Sequence, residues 1–270
     1  MGGHAICPLF FGLKLNKRNP MSAFKSFFLK LLSFLVVILA WEYAGRAGIS
    51  AALPSFTETM SAMLSLTLDG SLGTAFAKTL YPLAIGLLVS IFIGVSLGMS
   101  MGLKDSAEWL FSPIFIVAQA APLAALIPVL TFAYGIGVTA KIFTVCIMAM
   151  PVIVLNTLGA VRNTPSSLIE MAKSFQGTRM QVVGKVILPS ASPLIFVGLR
   201  LGCASGFIGI ILAELLITPT GIGDIISYSQ SVADYDKMYA AIFAIIVSSV
   251  LFIELLEKIE QVMFKPEKRT

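Results

Sequence analysis

One histidine, His4, stands among 270 residues, and only 12% of the chain is charged. A single histidine outside the apolar segments excludes an intramembrane Ser–His pair and an HExxH zinc site. Cys7, Cys146 and Cys203 form no CxxC and no even-numbered framework, so neither a disulfide nor a metal site is expected. The last two lie in apolar runs and read as small packing residues. No GxxxxGK followed by Ser or Thr occurs, so the chain has no usual cradle for ATP phosphates. Asp69, Asp105, Asp224, Asp234 and Asp236 all fall in expected loops, which leaves no buried pair for an intramembrane aspartyl protease. Gly94 to Gly98 spells GxSxG, but mid-helix rather than on the strand-to-helix turn that a hydrolase nucleophile needs. Whatever drives this chain comes from elsewhere.

What is present is apolar: 57% of residues are hydrophobic and the mean hydropathy is +0.92, which assigns the chain to a bilayer. The net charge of +5 is scattered among loops rather than gathered in a patch, so no nucleic-acid partner is expected. About twenty apolar residues cross the hydrocarbon as a helix. Windows of that length fall near 28–46, 79–101, 110–132, 140–161, 193–216 and 238–258, giving an all-α, six-span membrane protein surrounded by lipid. The expected divisions are an N-terminal segment 1–27, a transmembrane domain 28–262 with a loop at 163–189, and a basic tail 263–270. The basic stretch and apolar run at the start also resemble a secretory signal. The run continues through Trp41 without a small-residue cleavage site, so a retained first helix is expected, with Met21 an alternative start to Met1. Placing the N-terminus in the cytoplasm puts fourteen Lys and Arg, from Lys14 to Arg269, on the inner side. Arg46, Lys78, Lys141 and Lys237 fall outside, and Arg200 lies within a span. That bias follows the positive-inside rule and puts both termini and the 163–189 loop in the cytoplasm.

Two spans carry small residues every fourth position: Gly86, Ser90, Gly94, Gly98 and Gly102 in the second, and Gly198, Gly202 and Gly206, continued at Gly209, in the fifth. Such stripes let another helix approach the backbone closely. Pro113, Pro122 and Pro128 break the third span around Gln119, which reads either as the lining of a path or as a kinked helix. Arg200 and Glu214 sit inside the fifth span, where charges are costly and mark function by default. They lie about 40° apart in helical angle and roughly 21 Å apart along the axis. That separation is too long for a salt bridge, so each needs its own partner. Either their shared face meets a polar path, or Glu214 reaches the outer interface while Arg200 snorkels or bonds a helix end.

Between spans four and five runs EMAKSFQGTRMQVVGKVILP, Glu170 to Pro189. Leu168, Ala172 and Phe175 fall at helical spacing, with Glu170, Lys173 and Arg179 elsewhere around the helix. Leu188-Pro189 is expected to end the element before span five. By itself the segment could be a helix lying flat on the membrane surface. Its spacing, however, resembles the EAA loop of binding-protein-dependent ABC transporter permeases: Glu-Ala-Ala, three residues, Gly, nine residues, Ile-x-Leu-Pro. Glu170, Ala172, Leu188 and Pro189 keep the pattern. Met171 replaces the middle Ala, and Gln176 stands where the family glycine falls, with Gly177 next. QAAPLAALIPVLTFAYGIG at 119–137, NTLGAV from Asn156, PLIFVGLRLG at 193–202, AELL at 213–216 and GIGDII at 221–226 are similar to the nitrate, sulfonate and taurine subgroup.

The resemblance covers about residues 30–262 and implies a type I importer permease of the bacterial inner membrane, itself no enzyme. It further implies two copies of a cytoplasmic ATPase that bind ATP and Mg in place of any cofactor here, a second and identical permease copy, and an extracytoplasmic solute-binding protein. The loop would dock on the ATPase as a coupling helix through Glu170, Met171, Ala172, Phe175, Gln176 and Gly177, with Leu188 and Pro189 as its fixed exit. The path would be lined by Gln119, Asn156, Arg200 and Glu214. A small polar or anionic solute, such as a sulfonate, taurine, nitrate or bicarbonate, is implied, although similar permeases are associated with pyrimidine vitamin precursors and aromatic acids. A secondary transporter or channel is the rival class, and the lack of an internal repeat with paired broken helices counts against it.

Overall fold

The computed structural model describes residues 20–217 and 220–263, which fall in two compact units dividing between Thr57 and Glu58. That boundary lies inside the single domain expected over 28–262. In the first unit, α1 (Pro20–Arg46) is followed by a turn through Gly48. Trp41 closes the turn, its Nε1 donating to the Pro54 carbonyl at 3.1 Å and its ring meeting Phe56 edge to face. The Glu42 carboxylate accepts the Thr57 N–H and hydroxyl, each at 3.0 Å, which caps the start of α2 (Phe56–Leu68).

The second unit holds α3 (Ser71–Leu103), α4 (Asp105–Ala120), α5 (Ile127–Tyr134), α6 (Val138–Arg162), α7 (Ser166–Ser174), α8 (Arg179–Val182), α9 (Leu188–Leu216), α10 (Ile222–Ser231) and α11 (Tyr235–Met263). Among the described residues, four helical stretches are long and apolar enough to cross a membrane: α3, α6, the run Arg179–Leu216, and α11. These correspond to expected spans two, four, five and six. The third span is interrupted, because the backbone turns extended at Ala121 ahead of Pro122, passes through a 3₁₀ turn at Leu123–Leu126, and restarts with Pro128 in the first turn of α5. Proline disfavours helix in the residue before it and suits the first turn of the next helix.

The core runs along α6. Leu83 and Leu87 of α3, Val145, Ala149 and Ile153 of α6, and Cys203, Phe207 and Ile210 of α9 form one buried cluster. Both glycine stripes face α6. A Cβ on Gly86 would lie 2.7 Å from Val145, on Gly98 2.6 Å from Thr157 and on Gly102 2.6 Å from Val161, while one on Gly202 would overlap Ile153. Ser90, fully buried, returns its hydroxyl to the Gly86 carbonyl at 2.7 Å. With no apolar driving force available between helices in lipid, close backbone approach and dense packing hold such a seam. At the tip before α11, the Lys237 ammonium beside Asp234 (2.8 Å) holds that carboxyl below its usual range.

Candidate functional site

The loop after α6 is a compact helical corner. Thr164 is buried, Pro165 starts α7, and α7 ends in a Schellman motif in which the Gly177 N–H reaches the Ala172 carbonyl (3.1 Å) and the Gln176 N–H that of Lys173 (2.9 Å). Gln176 takes the left-handed conformation, φ 57°, at the position where the family pattern carries glycine. Thr178 then forms a capping box with Gln181, accepting that residue's N–H at 3.4 Å while its own N–H reaches the Gln181 Oε1 at 2.9 Å.

Leu188-Pro189 does not end the element, contrary to the expectation above. A π-helical turn, Val183–Ile187, joins α8 to α9, with the Leu188 N–H reaching back to the Val183 carbonyl. Widening the turn here relieves the clash that a proline ring makes with the carbonyl four residues earlier. The helical run therefore continues over 38 residues, Arg179–Leu216. Pro189 sits in the first turn of α9 and is a through-point, not an exit.

The apolar face of α7 also differs from the expected Leu168–Ala172–Phe175 stripe. Ile169 and Ala172 pack inward against Ala160, Val161, Val182, Ile187, Ala191 and Ile195, which fixes the loop to the ends of α6 and α9. Phe175 caps the helix and points out, 82% exposed, alongside Met180 at 84% and Met171 at 51%; Glu170 is exposed too. Arg162, at the end of α6, pairs with Asp105 and Glu108 in the first turn of α4, tying that helix to the same corner.

The four residues assigned to a path separate. Gln119 is exposed at the end of α4. Asn156 is half-buried, its Nδ2 donating to the Val152 carbonyl at 2.7 Å and its Cβ facing Gly198. Arg200 is half-buried against Glu257 and Glu260 of α11 at 3.8 and 3.5 Å. Glu214 is enclosed within the chain: Lys141 Nζ lies 2.8 Å from its Oε1, the Thr79 hydroxyl 2.9 Å away, and the Gly223 N–H 3.1 Å from its Oε2. Lys141, at the edge of the 140–161 window and counted above with the outer charges, is a buried residue of the first turn of α6. Its remaining donors go to the carbonyl and hydroxyl of Thr220, both at 2.9 Å. Intramembrane Arg200 and Glu214 thus each have a partner from another helix, and Lys141 is a third buried ionisable residue that window-based reading misses.

A family profile described as "Binding-protein-dependent transport system inner membrane component" matches residues 90–265. The chain belongs to that family. It is 28% identical over 233 residues to the putative aliphatic sulfonates transport permease protein SsuC of Bacillus subtilis (strain 168), covering 84% of each chain. It is 33% identical over 208 residues to the SsuC of Escherichia coli (strain K12), covering 76% of this chain and 79% of that one. The taurine transport system permease protein TauC of Escherichia coli (strain K12) is 26% identical over 244 residues, 88% of each. In fold it is similar to the inward-facing MetNI methionine ABC transporter, with a TM-score of 0.58, 21% identity and coverage of 75% of this chain and 98% of that one. A crystal structure of an amino acid ABC transporter gives a TM-score of 0.61 at 16% identity, covering 74% and 97%. This member is therefore an all-helical, inner-membrane ABC importer permease, a transport subunit that works with an ATPase and a binding protein and is not itself an enzyme.

Proposed function

We propose that this chain forms half of a homodimeric importer for a small polar or anionic solute of the sulfonate, taurine or nitrate type, driven through its 163–189 loop by two cytoplasmic ATPase subunits that bind the ATP and Mg. Both termini and the loop lie in the cytoplasm, and a binding protein delivers solute to the opposite face. The observation that carries this reading is the corner itself: Phe175, Met171 and Met180 are exposed beside Glu170 on a loop whose other side, Ile169 and Ala172, is packed into the ends of α6 and α9. An apolar tip with an acidic neighbour suits a cleft on a partner protein, and a rigid mounting transmits that partner's movement to two spans.

Within that frame Glu170, Met171 and Phe175 make the contact, Ala172 anchors α7, and Gln176, Gly177, Leu188 and Pro189 shape the corner. Gln119 and Asn156 remain the path residues with polar groups on the interrupted and central spans. Arg200 faces two carboxylates, so preference for an anion is supported by the sulfonate- and taurine-named relatives rather than by a free guanidinium. Glu170→Arg is expected to abolish ATP-driven uptake while the permease still inserts and folds; normal uptake by that variant would remove the docking role. Ligand screening of the cognate binding protein identifies the solute, and a ligand that carries no sulfonate or other oxyanion group would overturn the assignment.

A further inference from the structure

At the end of the bundle remote from α7 and α8, three spans and one turn of backbone converge on a buried ion pair. Glu214 of α9 and Lys141 of α6 have side chains 0% and 2% exposed. Every donor of the ammonium is used, one on Glu214 and two on Thr220. Thr79 of α3 donates to Glu214 and accepts the Ile222 N–H at 3.1 Å, while Glu214 Oε2 accepts the Gly223 N–H. The two N–H groups so bound are the first of α10, which makes the carboxylate and the Thr79 hydroxyl the N-terminal cap of that helix. The turn is built around this: Gly221 has φ +92, and a Cβ there or on Gly223 would overlap Glu214.

The apolar contacts of α10 lead elsewhere. Ile222 and Ile226 pack with Ala75 of α3 and Ala241 of α11. Packing ties α10 to α3 and α11, and Gly223 lies close against Glu214 of α9. The polar bonds reach Thr79 of α3 and, through Lys141 and Glu214, also bind the turn to α6 and α9. Those two helices flank the α7–α8 corner, and the α8–α9 run of 38 residues, at about 1.5 Å each, places Glu214 some 50 Å from Arg179. We propose that the Lys141–Glu214 pair makes the Thr220–Gly223 turn and α10 a rigid extension of the α6–α9 hairpin, so that movement imposed on α7 and α8 is delivered to α10 at the opposite mouth. Lys141 and Glu214 are positioning residues in this scheme, and the scheme rests on the coupling role given to the loop above. A charged network suits the task because its bonds reach backbone groups of a turn that no apolar side chain can hold.

The test is ATP hydrolysis by the reconstituted permease–ATPase complex, with and without ligand-loaded binding protein, for wild type, Lys141→Met, Glu214→Gln and the double variant Lys141→Met/Glu214→Met. The double variant leaves no unpaired buried charge and so decides the matter where a single variant fails to assemble. Basal hydrolysis is expected to stay within about twofold of wild type while stimulation by the binding protein falls to about one, because signals are lost between the two ends and not at the ATPase. Stimulation that persists at the wild-type ratio in the double variant overturns the proposal. So does a parallel fall of basal and stimulated rates, which is the mark of a brace with no part in transmission. A wild-type complex that shows no ATPase coupling at all would instead sink the reading of the loop.

Discussion

The α6–α9 hairpin ends in two opposite ways. At one end Lys141, Glu214 and Thr79 are buried and hydrogen-bonded to one another and to the Thr220–Gly223 turn; at the other Phe175, Met171 and Met180 lie open. Between them the glycine seam presses both neighbours onto α6. The closed end is finished by the chain's own residues, while the open end exposes apolar surface of the kind a partner protein would cover. Stability and ATPase docking should therefore separate along this hairpin, and substitutions can be ranked by how well they keep the two apart.

The largest loss of stability is expected from Lys141→Ala. It leaves the Glu214 carboxylate buried with no counter-ion, a situation that costs about 3–5 kcal/mol. Thermal unfolding in detergent, compared with Lys141→Met/Glu214→Met, checks this: the double variant should recover most of the loss. Equal destabilisation by both would mean that the hydrogen bonds to the Thr220 turn matter more than the unpaired charge. Gly202→Val comes next. Its side chain would drive into Ile153 in the middle of the seam, and overpacking of this kind costs about 1–3 kcal/mol. The same change at Gly184, where nothing lies within 4 Å, should be tolerated sterically.

The seam was legible because glycine at every fourth position marks one face of a helix before any partner is known. The long spans and the corner between the fourth and fifth were equally plain, since hydropathy and the Glu170-to-Pro189 spacing are local properties. What escaped depends on contacts distant in the chain. Lys141 opens α6 just where a hydropathy window begins, so it reads as a loop residue, and only its partner 73 positions on explains its burial. Leu188-Pro189 looks like a stop because proline rules assume α geometry, whereas the π-helical turn at Val183–Ile187 keeps the helix going. Ala172 and Phe175 share a helical stripe on paper, yet α7 ends at Ser174, and its cap turns Phe175 away.

A smaller effect, with the opposite sign, is expected at Gln176. A side chain in the left-handed region is disfavoured there, and glycine removes the penalty at some entropic cost to the folded chain. Gln176→Gly should raise stability by about 0.5–1 kcal/mol and leave transport intact, measured as a shift in thermal unfolding alongside uptake. A loss of uptake with unchanged stability would show that the Gln176 side chain touches the ATPase.

Phe175→Ser should have the smallest effect on stability and the sharpest on coupling. The ring is 82% exposed and leaves no cavity when removed, so unfolding should shift by no more than about 0.5 kcal/mol. If the open end is a docking surface, an aromatic projecting from a rigid mount is the type of residue that dominates an interface, and its truncation should weaken ATPase binding by at least tenfold, or about 1.4 kcal/mol. Co-purification of the ATPase with the variant permease reads this directly. Retention at wild-type levels, in a variant that unfolds like the wild type, would move the docking surface off Phe175 and onto Glu170 and Met171, whose own substitutions then decide which side of α7 the partner grips.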